Sequence, residues 1–83
     1  MNDTQILALL QEAFESAAPE EAQAVEPLKI ESTLGEFGVS SIASLEMAGY
    51  IEEKLGIQFA DDELSQIATV KGFVELIRKN TKG

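Results

Sequence analysis

The sequence predicts an all-α fold, a small four-helix bundle of three main helices and one short helix, with a long loop between helices 1 and 2. Three observations predict it. Apolar residues recur at helical spacing in three separate segments, no segment alternates with a period of two, and 83 residues provide one small core. We therefore expect residues 1–83 to form a single domain.

The first helix is predicted over residues 4–16. Its apolar side chains follow the i, i+3, i+4, i+7 and i+8 positions of one helical face. They are Ile6, Leu9, Leu10, Ala13 and Phe14. Asn2 and Gln5 have the spacing of a capping box at the start of this helix.

Residues 17–40 lack helical periodicity and are predicted to form the long loop. Pro19 and Pro27 are expected to break any helix, and Gly35 and Gly38 allow turns. Long loops in small domains need anchors of their own. We expect five apolar side chains to anchor this one: Leu28, Ile30, Leu34, Phe37 and Val39.

Helical spacing returns over residues 41–55, and Gly56 is suited to the left-handed residue that follows a helix. Ile57 and Phe59 are expected to turn back into the core, before a short acidic helical turn over residues 61–66. Thr69 is placed to cap the last helix. The apolar residues of that helix are Val70, Phe73, Val74, Leu76 and Ile77.

The second helix has two apolar stripes, which lie roughly 130° apart at 100° per residue. The first is a normal core face of Met47, Ala48, Ile51 and Leu55. The second, which we call the exposed strip, is Ile42, Leu45 and Gly49, and the carboxylates of Glu46, Glu52 and Glu53 flank it. A small core cannot bury both, so the strip is predicted to dock a partner with an apolar groove and a basic rim. The alternative is that Leu45 reaches the long loop and the glutamates only face solvent.

The composition excludes several classes of function. Six basic against 15 acidic residues give a net charge of -9, which repels nucleic acid and anionic lipid. No apolar run approaches the length of a membrane helix and the N-terminus lacks a signal-peptide pattern, so we expect a cytoplasmic protein without membrane insertion. The chain has no cysteine and no histidine, so any thiol chemistry must be imported.

Ser41 is the candidate site residue. Ser40 is placed to be the N-cap of the second helix, so Ser41 lies in its first turn, where a phosphate ester would meet the positive end of the helix dipole. No histidine is present to make Ser41 a hydrolytic nucleophile. Ser44, one turn on, is a rival site that we expect to be packed. The acidic residues 61–63 lack the spacing of a calcium loop, and no metal site is expected.

Residues 34–77 resemble an acyl carrier protein. In that family the second helix usually begins with leucine-glycine-x-aspartate-serine-leucine. The equivalent residues here are Phe37-Gly38-Val39-Ser40-Ser41-Ile42, followed by Leu45-Glu46-Met47, by Ile51-Glu52-Glu53-Lys54-Leu55-Gly56-Ile57-Gln58-Phe59 and by Thr69-Val70-Lys71-Gly72-Phe73-Val74. The first helix matches only in its apolar pattern.

The resemblance implies a carrier without catalytic activity. Ser41 would take a covalent 4′-phosphopantetheine from coenzyme A through a phosphopantetheinyl transferase, and the arm would hold acyl groups as thioesters, sheltered between the second and third helical segments. Acyl-loading and acyl-using enzymes of fatty acid, lipid or polyketide synthesis would dock through basic surfaces. By analogy, the docking residues are Ile42, Leu45, Glu46, Gly49, Glu52 and Glu53. A freely diffusing carrier is expected to be a monomer.

Three positions depart from the family pattern. Ser40 stands where aspartate is usual, Ala43 where an acidic residue is common and Gly49 where a larger apolar residue is common. By the resemblance, the first change would alter the efficiency of modification or the choice of transferase, and the other two would shrink the docking surface. A specialised, stand-alone carrier fits these departures best. The alternatives are an unmodified carrier-like binding module and a peptidyl or aryl carrier. An unrelated acidic helical adaptor would not explain residues 34–77.

Overall fold

Three amphipathic helices of 12 to 15 residues form the body of the molecule. The computed structural model describes residues 1–81, and Lys82 and Gly83 lie outside the described residues. The elements are α1 (Asp3–Ala17), α2 (Pro19–Ala24), a 3₁₀ turn (Gly35–Phe37), α3 (Ser41–Leu55), α4 (Asp61–Leu64) and α5 (Val70–Thr81). Helix α1 packs against both α3 and α5. This arrangement confirms the predicted all-α class with three main helices.

The predicted capping box starts α1. The amide of Gln5 donates to Asn2 Oδ1 at 2.8 Å, and the amide of Asn2 donates to Gln5 Oε1 at 2.9 Å. These reciprocal bonds satisfy amides that a helix start otherwise leaves free. The five apolar residues predicted for the inner face of α1 are all buried.

The prediction that no helix forms between residues 17 and 40 is wrong, because α2 occupies Pro19–Ala24. Pro19 is the first residue of α2, a position where its missing N–H costs no hydrogen bond, so this proline starts a helix. Ala18 joins the two helices: its amide donates to the Phe14 carbonyl at 2.8 Å, and its carbonyl accepts from the Ala22 amide at 2.9 Å.

The long segment after α2 is anchored to the core and to the start of α5. Four of the five predicted anchors, Leu28, Leu34, Phe37 and Val39, are buried, and Ile30 is half-buried. The Leu34 amide also donates to the Ala68 carbonyl, and the Val70 amide to the Ser32 carbonyl, both at 3.0 Å. This short antiparallel pairing has too few residues to show an alternating pattern in the sequence.

Helix α3 has the predicted bounds, and Gly56 follows it with a left-handed φ of 67°. Met47, Ala48 and Ile51 are buried and Leu55 is half-buried. All five predicted apolar residues of α5 are buried. Phe59 is also buried and meets Phe73 edge to face, with ring centroids 6.5 Å apart.

Two exposed ion pairs tie α5 to its neighbours. Arg78 pairs with Asp3 of α1, and Lys79 pairs with Glu63 of α4. The hydrogen bond and the charge of Glu63 raise the pKa of Lys79 above its usual value. Among residues 1–81, no helix is both long and apolar enough to span a membrane.

Candidate functional site

The start of α3 is set by the turn that precedes it. The amide of Val39 donates to the Leu34 carbonyl at 3.2 Å, and Gly38 adopts a left-handed φ of 76°, which a side chain would strain. Ser40 then takes an extended conformation, and its Oγ accepts a hydrogen bond from the Ala43 amide at 3.1 Å. Ser40 is therefore the N-cap, as predicted.

Ser41 is the first residue of α3 and is exposed. The amides of Ser41 and Ile42 have no carbonyl partner within the helix, as at any helix start, and they lie at the positive end of its dipole. Ser44, one turn further on, is half-buried. The environment of Ser41 thus favours an anionic substituent on its hydroxyl.

A pocket of about 400 Å³ lies beside Ser41, between α3, α4 and the segment that enters α5. We call it the α3–α4 pocket. Its apolar lining includes Leu34, Val39, Leu45, Leu64, Ile67 and Phe73. Its polar lining consists of Ser40, Ser41, Ser44, Asp61 and Ser65. The pocket therefore suits an apolar group with a polar connection near Ser41.

The exposed strip lies on the surface, as the two-stripe pattern of α3 predicts. The exposed fractions of Ile42 and Leu45 are 70% and 56%, and Gly49 is exposed as well. Leu45 also lines the α3–α4 pocket, so the strip and the pocket share an edge.

The three glutamates of α3 have different surroundings. Glu46 and Glu53 are exposed, and within residues 1–81 neither has a hydrogen bond or an ion pair. Glu52 is half-buried, and its Oε2 accepts a hydrogen bond from the Phe59 amide at 2.7 Å. One oxygen of Glu52 therefore holds the loop between α3 and α4. Helical geometry places Glu52 beside the strip but does not reveal this backbone partner.

The acidic residues Asp61, Asp62 and Glu63 form the first turn of α4. The Glu63 carboxylate forms an ion pair with Lys79, and the Glu63 amide donates a hydrogen bond to Asp62 Oδ1 at 3.1 Å. Carboxylates at a helix start interact favourably with its dipole. The three carboxylates are therefore explained by their position at the start of α4 and by the ion pair with Lys79.

Comparison with known proteins shows the family and the fold. The family model described as a phosphopantetheine attachment site matches residues 5–77. The structure is similar to the crystal structure of an acyl carrier protein from Thermotoga maritima, with a TM-score of 0.82 and 23% sequence identity over 95% of this chain and 89% of that chain. Comparison with curated protein sequences gives no significant match.

The residues at the start of α3 fit the group that this family attaches covalently, 4′-phosphopantetheine. An exposed serine hydroxyl is available for a phosphate ester, the helix start favours the resulting negative charge, and the neighbouring pocket has an apolar lining. The match to the family model covers nearly the whole described chain, from residue 5 to residue 77. The protein therefore belongs to the phosphopantetheine attachment family and has the fold of an acyl carrier protein.

Proposed function

We propose that this protein is an acyl carrier that bears its 4′-phosphopantetheine on Ser41 and presents acyl thioesters to partner enzymes. The observation that supports this most strongly is the exposed Ser41 hydroxyl at the first residue of α3, on the edge of the α3–α4 pocket. When bound, the cofactor supplies the thiol that this cysteine-free chain lacks.

Ser41 is preferred over its two neighbouring serines for structural reasons. The Ser40 oxygen already accepts the Ala43 amide, and an ester at this oxygen would disturb the cap of α3. Ser44 is half-buried. Ser41 has neither restriction, because it is exposed and, within residues 1–81, its hydroxyl makes no hydrogen bond.

The role of the chain at this site is to hold and orient the phosphopantetheine group. The amides of Ser41 and Ile42 and the dipole of α3 stabilise the phosphodiester charge. The chain contains no histidine or cysteine for acid-base or nucleophilic work on a thioester, so its partners perform the chemistry.

The α3–α4 pocket is proposed to shelter the acyl cargo. Its volume of about 400 Å³ falls within the range of typical small-ligand pockets. Apolar side chains from the long loop, α3, α4 and α5 would contact the hydrocarbon part. Burial of that part shields it from water, at a gain of about 0.8 kcal/mol for each methylene fully buried.

Partner enzymes are proposed to dock on the exposed strip. The apolar side chains of Ile42 and Leu45 would enter an apolar groove, while Glu46 and Glu53 would pair with a basic rim. The net charge of -9 would steer such enzymes during their approach. Gly49 and the free oxygen of Glu52 complete the proposed surface.

We infer from this role a monomeric carrier in the cytoplasm, working with a phosphopantetheinyl transferase and with enzymes of fatty acid, lipid or polyketide synthesis. Its freely exposed strip and acidic surface support transient docking with several partners.

Peptide mapping of the loaded protein tests the attachment site. The protein is incubated with coenzyme A and a broad-specificity phosphopantetheinyl transferase, digested, and sequenced by tandem mass spectrometry. The added group is expected on Ser41, and Ser44→Ala, as the matched control, should be loaded normally. A group found on Ser44 would contradict the assignment, and no loading by several transferases would favour an unmodified binding module.

A further inference from the structure

The polar side chains that line the α3–α4 pocket lie toward its rim, and its most deeply buried lining is apolar. Ser41, Asp61 and Ser65 are lining residues that are exposed. Leu34 and Phe73 are lining residues that are buried. An acyl group that enters from the exposed side therefore places its tail against the apolar residues. The carbons next to its thioester then lie at the polar rim.

Ser44 lies between these two zones, and its hydroxyl has no partner. It is one turn beyond Ser41 on the same face of α3, where Cβ atoms are roughly 5–6 Å apart. Ser44 is half-buried and lines the pocket, and among the described residues its Oγ takes part in no hydrogen bond. A hydrocarbon that fills the pocket displaces water from this hydroxyl and offers no bond in return. The pocket therefore favours a cargo with a polar atom at this point.

The α4 side of the rim supplies hydrogen-bond acceptors. The Ser65 hydroxyl donates to the Asp62 carbonyl at 2.9 Å, which leaves only its oxygen lone pairs for a ligand. The Asp61 carboxylate is also an acceptor, and within residues 1–81 it has no ion pair. A keto or ether oxygen on the cargo has no hydrogen to give to these groups. A hydroxyl can donate to them and can also accept from Ser44, so it suits both sides of the pocket.

We propose that Ser44 determines which cargo is sheltered: its hydroxyl binds a hydroxyl group near the thioester end of the acyl chain. The α3–α4 pocket thus shelters hydroxyacyl groups in preference to unsubstituted ones, and Asp61 and Ser65 accept the hydrogen of the cargo hydroxyl. The proposal rests on the proposed function, because the cargo reaches this pocket from an arm on Ser41.

The protection of the thioester in two matched cargoes tests this proposal. A broad-specificity phosphopantetheinyl transferase loads the protein from 3-hydroxybutyryl-coenzyme A or from 3-methylbutyryl-coenzyme A, in which a methyl group replaces the hydroxyl. Cleavage of each thioester by hydroxylamine is followed by intact mass, and its rate is divided by that of the same free acyl pantetheine. In the parent, the better-sheltered enantiomer of the 3-hydroxybutyryl group should be protected about fivefold more than the 3-methylbutyryl group.

Three variants separate the Ser44 hydroxyl from the rest of the pocket. Ser44→Ala should remove the preference for the hydroxylated cargo, and Ser44→Thr, which keeps a hydroxyl, should retain most of it. Ser32→Ala is the matched control, because Ser32 is also half-buried but does not line the α3–α4 pocket. This variant should keep the preference of the parent. Melting curves of all three show whether the fold is intact.

The outcomes distinguish this proposal from the carrier assignment. Equal protection of the two cargoes in the parent, or a preference that survives in Ser44→Ala, would overturn the role of Ser44. A preference lost equally in Ser32→Ala would overturn it as well. In each of these cases a group loaded on Ser41 leaves the carrier assignment intact. Loading at another residue would overturn both proposals together.

Discussion

The hydroxyl of Tyr50 on α3 donates a hydrogen bond of 2.7 Å to Glu12 Oε1 on α1. The ammonium group of Lys54 lies 3.7 Å from the same oxygen and 5.8 Å from the centroid of the Tyr50 ring. Together these contacts form a polar clasp across the outer edge of the α1–α3 interface. The hydrogen bond to Glu12 is the main reason that the pKa of Tyr50 is raised above its usual value of 10.0, with lesser contributions from desolvation and from the charge of Glu12.

The raised pKa of Tyr50 predicts a loss of stability in alkali. The folded state holds the Tyr50 proton more tightly than the unfolded state. The contribution of the Tyr50 hydrogen bond is therefore complete below pH 10.0 and is lost as the pH rises through the folded-state pKa of Tyr50. Between about pH 9 and pH 11 the melting temperature of the parent should fall more steeply than that of Tyr50→Phe.

The titration itself can be followed without interference, because Tyr50 is the only tyrosine and the chain has no tryptophan. Tyrosinate absorbance of the folded protein should give a pKa above 10.0, and Glu12→Gln should bring it back toward that value. A pKa that is the same in the parent and in Glu12→Gln would contradict the clasp.

Truncation of a side chain should lower the stability of the protein on the buried face of α3 and leave it nearly unchanged on the exposed face. Met47 is fully buried whereas Leu45 is 56% exposed. Met47→Ala is expected to lower the free energy of unfolding by about 2–5 kcal/mol, because it leaves a cavity. Leu45→Ala should change it by less than about 0.5 kcal/mol. Urea denaturation measures both, and similar losses would mean that the exposed strip is packed.

The N-cap of α3 offers a separate test of local stability. Ser40→Ala removes the oxygen that accepts the Ala43 amide and should cost about 1 kcal/mol in the free energy of unfolding. Ser40→Asp keeps an acceptor at the cap and should stay close to the parent. Chemical denaturation of both variants checks this, and an Asp variant as unstable as the Ala variant would argue against the capping role.

Ionic strength should stabilise the protein before it is loaded. Fifteen acidic residues on 83 repel one another, and the four ion pairs within residues 1–81 are largely exposed and contribute little. Added salt or divalent cations should therefore raise the melting temperature by screening that repulsion. A melting temperature indifferent to salt would show that the repulsion is already balanced.

Periodicity predicted the main helices because each has an apolar face that must be buried. The bounds of α3 and the cap at Ser40 follow from local rules that act within a few residues. Helix α2 was not predicted, because a proline inside a segment ends a helix whereas Pro19 is the first residue of one. The pairing of residues 32–34 with residues 68–70 was also missed, since it depends on contacts between distant segments.

In the candidate site, too, the features set by local rules were predictable and those that depend on contacts between distant segments were not. The exposure of Ile42, Leu45 and Ser41 follows from helical geometry and from capping. The hydrogen bond between Glu52 and the Phe59 amide depends on the path of the loop after α3, which no periodicity describes.

Intact-protein mass spectrometry tests the central claim most directly. The parent and Ser41→Ala are incubated with coenzyme A and a broad-specificity phosphopantetheinyl transferase under the same conditions. The account predicts that the parent gains the mass of one 4′-phosphopantetheine and that Ser41→Ala, with an unchanged melting curve, gains none. A Ser41→Ala protein that gains the same mass as the parent would contradict it.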